Sequence, residues 1–161
     1  MTHEAPAQRT LDVDGLTFAY HDAGEGDALL LLHGSGPGVS AWSNFRGNIP
    51  VFAERFRVLA PDMPGFGGSD LPELDEYYPT LAARRILDFL DGLGVERTFV
   101  IGNSMGGAVA SELAALAPER VRRQAIMGSG GLSVSLFGPD PSEGIQRLLE
   151  FMGDPTRDRL V

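Results

Sequence analysis

Short apolar runs broken by Gly and Pro alternate along this chain with stretches of helical periodicity. Residues 9–13 and 16–21 alternate in part between apolar and polar side chains, and Asp14-Gly15 sits between them, the signal of a hairpin. Ala23-Gly24-Glu25-Gly26-Asp27 reads as a turn. Ala28 to Leu32 is then an unbroken apolar run, the pattern of a strand buried on both faces. Phe56 to Ala60, closed by Pro61, is a second such run, Thr98 to Ile101 a third and Gln124 to Met127 a fourth. Between them Ala82, Ile86 and Leu90 lie on one helical face, with Thr80 as the predicted N-cap after Pro79 and Gly92 and Gly94 as the predicted stop. The stretch from Met105 to Ala117 is rich in Ala and Leu, and Pro118 ends it. Strands alternating with helices after an opening hairpin predict an α/β fold, a mostly parallel sheet with helices on both faces.

The character changes after Met127. Gly128-Ser129-Gly130-Gly131 and Gly138-Pro139-Asp140-Pro141 read as linker and turn, and Ile145, Leu148, Leu149 and Met152 make a short amphipathic pattern. This divides the chain into a core over residues 1–130 and, over residues 131–161, a linker with the start of a further helical element.

Composition narrows the chemistry. With 161 residues there is room for one domain, and 43% hydrophobic with 22% charged residues is an ordinary globular balance. All 13 basic residues are Arg, and against 22 acidic residues they leave a net charge of −9. Such a balance argues against nucleic-acid or anionic-membrane partners, because neutralising phosphates takes clustered positive charge. The absence of Cys excludes disulfides, thiolate metal sites and a Cys nucleophile. No signal-type or bilayer-length apolar segment is present, so a cytoplasmic protein with no metal and no cofactor is expected.

The strongest chemical signal is Gly102-Asn103-Ser104-Met105-Gly106, which follows the third apolar run and opens the Ala-rich helix. A G-x-S-x-G sequence between strand and helix is the nucleophile elbow: a turn so sharp that side chains at Gly102 and Gly106 would strike neighbouring backbone. It presents the Ser104 hydroxyl above the sheet, at a helix N-terminus whose free N–H groups favour an oxyanion. His33-Gly34-Ser35-Gly36-Pro37-Gly38 follows the first apolar run, where such folds place the second oxyanion donor. The predicted donors are the N–H groups of Ser35 and Met105. A dinucleotide loop would need Gly where Val39 stands, and no Gly-Lys-Ser/Thr follows. His33 is expected to hold its loop rather than act as a base, and neither His21 nor His3 is placed to act as one. Asp62 is expected to bond nearby backbone N–H groups as a turn carboxylate. Trp42 and Phe45 are expected to pack.

Taken together these residues resemble the α/β-hydrolase fold and, within it, the meta-cleavage-product hydrolases, which cut carbon–carbon bonds in ring-fission products of aromatic degradation. The marks are His33-Gly34-Ser35-Gly36-Pro37-Gly38, Trp42-Ser43-Asn44-Phe45, Asp62 through Asp70, and Gly102-Asn103-Ser104-Met105-Gly106-Gly107, with Gly130-Gly131-Leu132 and Pro141 through Ile145 resembling the start of that family's helical lid. The resemblance implies a small-molecule substrate, a 2-hydroxy-6-oxohexa-2,4-dienoate, with Ser104 as nucleophile. It also implies Asn44 and Asn103 at the dienoate end, and Gly34 and Gly36 against the substrate. A homo-oligomer is compatible with it for a full-length enzyme. In this fold the triad runs Ser, then Asp or Glu, then His. No His follows Ser104 here, and Asp140, Asp154 and Asp158 fall in the linker and lid start. The sequence thus resembles the N-terminal half of such an enzyme, without its acid and base, and with the Gln124–Met127 strand left at a sheet edge. A carboxylesterase of the same fold and a non-catalytic module on a hydrolase scaffold are the alternatives; a haloalkane dehalogenase would need Asp at position 104.

Overall fold

The computed structural model describes residues 7–129; the linker and lid readings lie outside the described residues. Strands β1 (Arg9–Val13) and β2 (Leu16–Ala23) form the opening hairpin. Its turn places both Asp14 (φ 51°) and Gly15 (φ 76°) in the left-handed region, the geometry that matches strand twist. There follow β3 (Ala28–Leu32), α1 (Ala41–Phe45), α2 (Ile49–Phe52), β4 (Arg57–Pro61), α3 (Tyr78–Gly92), β5 (Thr98–Asn103), α4 (Met105–Leu116) and β6 (Val121–Met127), with a 3₁₀ turn over Pro118–Arg120. The sheet order is β1-β2-β4-β3-β5-β6. β2 meets β4 antiparallel, and β4, β3, β5 and β6 run parallel. Among the described residues β6 is an edge strand, with Arg122 to Ala125 exposed.

The central strands bury both faces, as an all-apolar run requires. Leu30 and Leu32 of β3 point into a core with Phe18, Tyr20, Leu59, Ile86, Phe89 and Leu113. Leu29 and Leu31 point the other way, into a core with Ala41, Phe45, Ile49, Val58 and Ala60. Phe89 anchors α3 under the hairpin, its ring 5.1 Å from Phe18 and 5.2 Å from Tyr20. The hairpin is tied to β4 by the Arg57 guanidinium, which donates to both Asp22 oxygens at 3.1 and 2.9 Å. That pairing holds the Arg57 pKa above its ordinary value against partial burial. Among the described residues no helix is long and apolar enough to cross a membrane.

Three differences from the sequence expectations have physical causes. Thr80 is not an N-cap: the helix starts at Tyr78, because Pro79 fits its first turn, and the Thr80 hydroxyl donates to Glu112 at 3.1 Å. Helices α1 and α2 were hidden from periodicity by their length. α1 is held by a capping box, in which Ser40 Oγ accepts from the Ser43 N–H and Ser43 Oγ accepts from the Ser40 N–H. The strands also run further than their apolar runs: β2 to Ala23, β4 to Pro61, β5 to Asn103, and β6 from Val121. The extra residues include polar ones, such as Asp22 and Asn103, which an apolar run cannot reveal.

Strand order creates the crevice. From β3 the chain leaves through α1 and α2 to β4 on one side; from β5 it leaves through α4 to β6 on the other. At such a switch point the outgoing loops diverge and leave a cleft beyond the carboxyl ends of the two strands. The loop after Leu32 and the bend at Ser104 both open onto it. Leu30, fully buried at the centre of this sheet, is expected to cost about 2–5 kcal/mol on change to Ala, whereas Val51→Ala, at a 58% exposed position, is expected to stay within about 0.5 kcal/mol. Urea denaturation measures both.

Candidate active site

Ser104 occupies a bend that little but its surroundings would enforce. Its backbone sits at φ 53° and ψ −114°, and with Asp14 it makes up the non-glycine residues of positive φ among those described. Such conformations cost on the order of 1–3 kcal/mol and persist when neighbours over-determine them. Here the Ser104 N–H donates to the Met127 carbonyl at 2.8 Å, and the Ser104 carbonyl accepts from the Gly107 N–H at 3.0 Å. The main chain is thus fixed on both sides of the bend. A Cβ on Gly102 would run into the Gly106 carbonyl, and one on Gly106 into the carbonyls of Leu32 and His33. A Cβ on Gly107 would meet Ile126 at 2.9 Å and Ser129 at 2.8 Å. The glycines of the motif are what allow α4 to begin against the end of β3.

The loop after β3 approaches the same point. A Cβ on Gly34 would lie 3.3 Å from the Ser104 Cβ and 3.5 Å from Asn103 Nδ2. The Gly34 N–H donates to Asn44 Oδ1 at 2.9 Å, and Asn103 Nδ2 donates to that same oxygen at 3.2 Å. These bonds set the polarity of both amides. Asn44 turns its oxygen to Gly34 and Asn103, and its NH₂ has no partner among the described residues. Among the described residues neither the Ser35 N–H nor the Met105 N–H has a hydrogen-bond partner. Ser35 is exposed, and Asn44, Asn103, Ser104, Met105 and Gly36 are half-buried. The crevice therefore brings Gly34, Asn44, Asn103 and Ser104 into one set of contacts, and Ser35 and Met105 are the residues that follow Gly34 and Ser104 in sequence.

His33 and Asp62 hold the frame, as the sequence led us to expect. His33 is fully buried; its Nε2 accepts from the Met63 N–H at 2.8 Å and its Nδ1 lies 2.7 Å from the Gly34 carbonyl. Asp62 accepts from the Ala41 N–H at 2.7 Å, from the Gly68 N–H at 2.9 Å and from Gln8 Nε2 at 3.1 Å. One carboxylate thereby joins the start of α1, the turn after β4 and the N-terminal segment. His21, on β2, is separated from β5 by β4 and β3, about 14 Å across the sheet. It packs against Trp42, ring centroids 5.5 Å apart and planes tilted by 50°, while Phe45 is buried in the core. The double use of Asn44 and the reach of Gln8 were missed from sequence. Their partners lie 10, 59 and 54 residues away, and no local pattern encodes such distances.

Elsewhere, a depression of about 750 Å³ lies before β5, at the opposite end of the strands from Ser104, lined by Asp91, Val95, Arg97 and Arg120 among others. Its Arg120 is already spent on Asp91 and on the Val95 and Glu96 carbonyls. Among the described residues no three His, Asp or Glu side chains converge as a metal site needs.

Two outcomes follow from this geometry. Gly106→Ala is expected to destabilise by about 1–3 kcal/mol or more through backbone overlap, while Gly47→Ala, with open space around it, is expected to be silent in the same urea titration. Burial holds the His33 pKa below the ordinary imidazole value, with the Gly34 carbonyl and the Asp62 charge pulling more weakly the other way. The unfolded chain therefore takes up this proton first. The stability His33 contributes is complete above about pH 6.5 and is lost as the pH falls below that value towards the lowered one. Between about pH 7.5 and about pH 5.5 the melting temperature of the wild type is expected to fall more than that of His33→Asn.

Comparison with known proteins agrees with this architecture. A family model described as the alpha/beta hydrolase fold matches residues 27–155. A 2-hydroxy-6-oxo-6-phenylhexa-2,4-dienoate hydrolase of Comamonas testosteroni is 42% identical over 150 residues, covering 92% of this chain and 52% of that protein. A 2-hydroxymuconate semialdehyde hydrolase of Pseudomonas sp. (strain CF600) is 41% identical, covering 88% of this chain and 53% of that protein. The solved 2-hydroxy-6-oxo-6-phenylhexa-2,4-dienoate hydrolase of Rhodococcus sp. strain RHA1 superposes with a TM-score of 0.79 at 37% identity, over 95% of this chain and 55% of that one. The chain thus spans about half the length of the relatives it matches. With the family match covering most of the sequence, and a strained serine set at the switch point of a doubly wound sheet, this chain belongs to the alpha/beta hydrolase fold family.

Proposed function

We propose that this chain carries the nucleophile side of a serine hydrolase that cleaves a carbon–carbon bond in 2-hydroxy-6-oxohexa-2,4-dienoates, the ring-fission products of aromatic degradation. The observation that carries the reading is the strained Ser104 bend lying against Gly34, next in sequence to two N–H groups, those of Ser35 and Met105, that have no partner among the described residues. The names of the similar proteins support the substrate class.

The chemistry follows from the groups at hand. The dienol substrate first becomes its keto tautomer. Ser104 Oγ then adds to the C6 carbonyl, and the Ser35 and Met105 N–H groups receive the oxyanion; each such donor is worth roughly 10²–10³ in rate. The C5–C6 bond breaks as the carbonyl re-forms. Its electron pair delocalises onto the C2 oxygen, which takes a proton to give 2-hydroxypentadienoate. Water hydrolyses the acyl group from Ser104 and releases the carboxylic acid. The NH₂ of Asn44, its orientation set by the bonds to Asn44 Oδ1, donates to the dienoate end without adding charge, and Asn103 lies beside it. Neither His33, with both nitrogens occupied, nor His21, remote on β2, takes the Ser104 proton. The reading assigns that proton acceptor to residues outside 7–129.

The test is turnover by the enzyme expressed from its whole reading frame, on an aryl ring-fission dienoate and on a p-nitrophenyl ester. Dienoate cleavage that Ser104→Ala lowers by at least about 10³-fold is the expected result. Ester turnover alone would make the protein a carboxylesterase, and a folded protein inert to both would make it a non-catalytic relative.

A further inference from the structure

We infer that His33 is a positioning residue that sets the plane of the Gly34–Ser35 peptide and so aims the Ser35 N–H into the crevice over Ser104. The inference rests on the proposed role of Ser35 as an oxyanion donor.

Bonding geometry fixes the ring's protonation. A backbone N–H can only donate, so the Met63 N–H at 2.8 Å requires a lone pair on His33 Nε2. A neutral imidazole with a bare Nε2 carries its hydrogen on Nδ1. That nitrogen lies 2.7 Å from the Gly34 carbonyl oxygen and therefore donates to it. The ring is fully buried, with Phe66 edge-on at 5.5 Å, so water does not compete for either bond.

The Gly34 carbonyl and the Ser35 N–H belong to one peptide unit. No described peptide bond is cis. In a trans peptide the C=O and N–H vectors point in opposite directions. Holding the carbonyl inward on His33 therefore turns the Ser35 N–H outward, away from the buried ring. That N–H has no partner among the described residues, and Ser35 itself is exposed.

A clamp is needed here because the loop's composition would let the peptide turn. Gly34 has no Cβ, and Gly36, two residues on, sits at φ 144°, where side chains are rarely found. The approach to Ser104 forbids the side chain that would otherwise restrict residue 34, since a Cβ there would be 3.3 Å from the Ser104 Cβ. Hydrogen bonds supply the missing restraint. Asn44 Oδ1 holds the Gly34 N–H and His33 Nδ1 holds the Gly34 carbonyl. A turned peptide would leave the His33 N–H buried and unpaired, a state native proteins avoid. The link to Met63 then fastens the ring, and with it the loop, to the turn after β4.

Two variants separate this role from simple support of the fold. In His33→Asn the side-chain nitrogen falls near the place of Nδ1 and can still donate to Gly34. In His33→Gln the side-chain oxygen falls near the place of Nε2 and can accept from Met63, but nothing donates to Gly34. In the enzyme expressed from its whole reading frame, His33→Asn is expected to keep kcat within about 3-fold. His33→Gln is expected to keep its fold and KM and to lose kcat by about 10²–10³-fold, the effect of losing one oxyanion donor. Crystal structures of both variants give a readout independent of turnover: the 34–35 peptide turned in the Gln variant and kept in the Asn variant. An unturned peptide in His33→Gln, or equal kcat in the two variants, overturns the inference. A wild type without hydrolase activity would overturn the proposed function, while the comparison of peptide planes would still decide this point. Should neither variant fold, the ¹⁵N spectrum of His33 in the wild type decides: a proton on Nδ1 upholds the clamp, and a proton on Nε2 refutes it.

Discussion

Helix α4 starts with the Cα of Gly106 resting against the last carbonyls of β3, and everything of chemical interest depends on that contact. Two adjacent parallel strands can send their chains to opposite faces of a sheet only if the outgoing segments part at once. The chain after β5 has no room for a gradual turn, because the end of β3 is already there. It bends within one residue, and Ser104 takes the strain. The carboxyl ends of β3 and β5 then sit side by side, so the loop that follows Leu32 is brought beside the serine without any long excursion. The energetic cost of the bend is met by the cores on both faces of the sheet, which fix β3 and α4 independently of the loops.

The buried polar groups serve the same end. A sheet buried on both faces leaves few ways to order the loops at its rim, since the loops are rich in Gly and, apart from Met63 and Phe66, carry few side chains that reach the core. Asp62 and His33 order them through hydrogen bonds to backbone, and among the described residues no buried side-chain nitrogen or oxygen lacks a partner. Each of the two is worth more in this position than a surface pair would be, because water is excluded from both. They also tie segments far apart in sequence, from the N-terminal Gln8 to the turn at Gly68.

The sequence made the sheet and the serine bend readable, for reasons that are local. Asp14-Gly15 demands a left-handed turn, Ala28 to Leu32 demands burial on both sides, and Gly102, Gly106 and Gly107 mark places where only hydrogen fits. The short helices α1 and α2 were unreadable because a single turn has no periodicity; α1 is held by the Ser40 cap and by Asp62, itself 21 residues from Ala41, and α2 by the burial of Ile49. Thr80 misled because a good capping side chain next to Pro79 competes with a proline that is itself suited to the first turn, and the proline prevailed. The shared use of Asn44 Oδ1 lay beyond sequence reasoning altogether, because it depends on two loops meeting at a point that only the strand order defines.

The division of the interior into two cores has a bearing on how such a protein diversifies. Leu29 and Leu31 serve one core and Leu30 and Leu32 the other, and β4 divides in the same way between Leu59 and the pair Val58 and Ala60, so the central sheet is the wall the two cores share. Substitutions on the α1–α2 side touch few residues of the α3–α4 side, and effects at such separated sites combine nearly additively. The α1 side also bears Asn44 and Trp42. Lineages can therefore reshape that wall of the crevice by successive small repackings while the opposite core keeps the serine bend in register. Novelty in specificity and conservation of chemistry are thus drawn from separate reserves of stability.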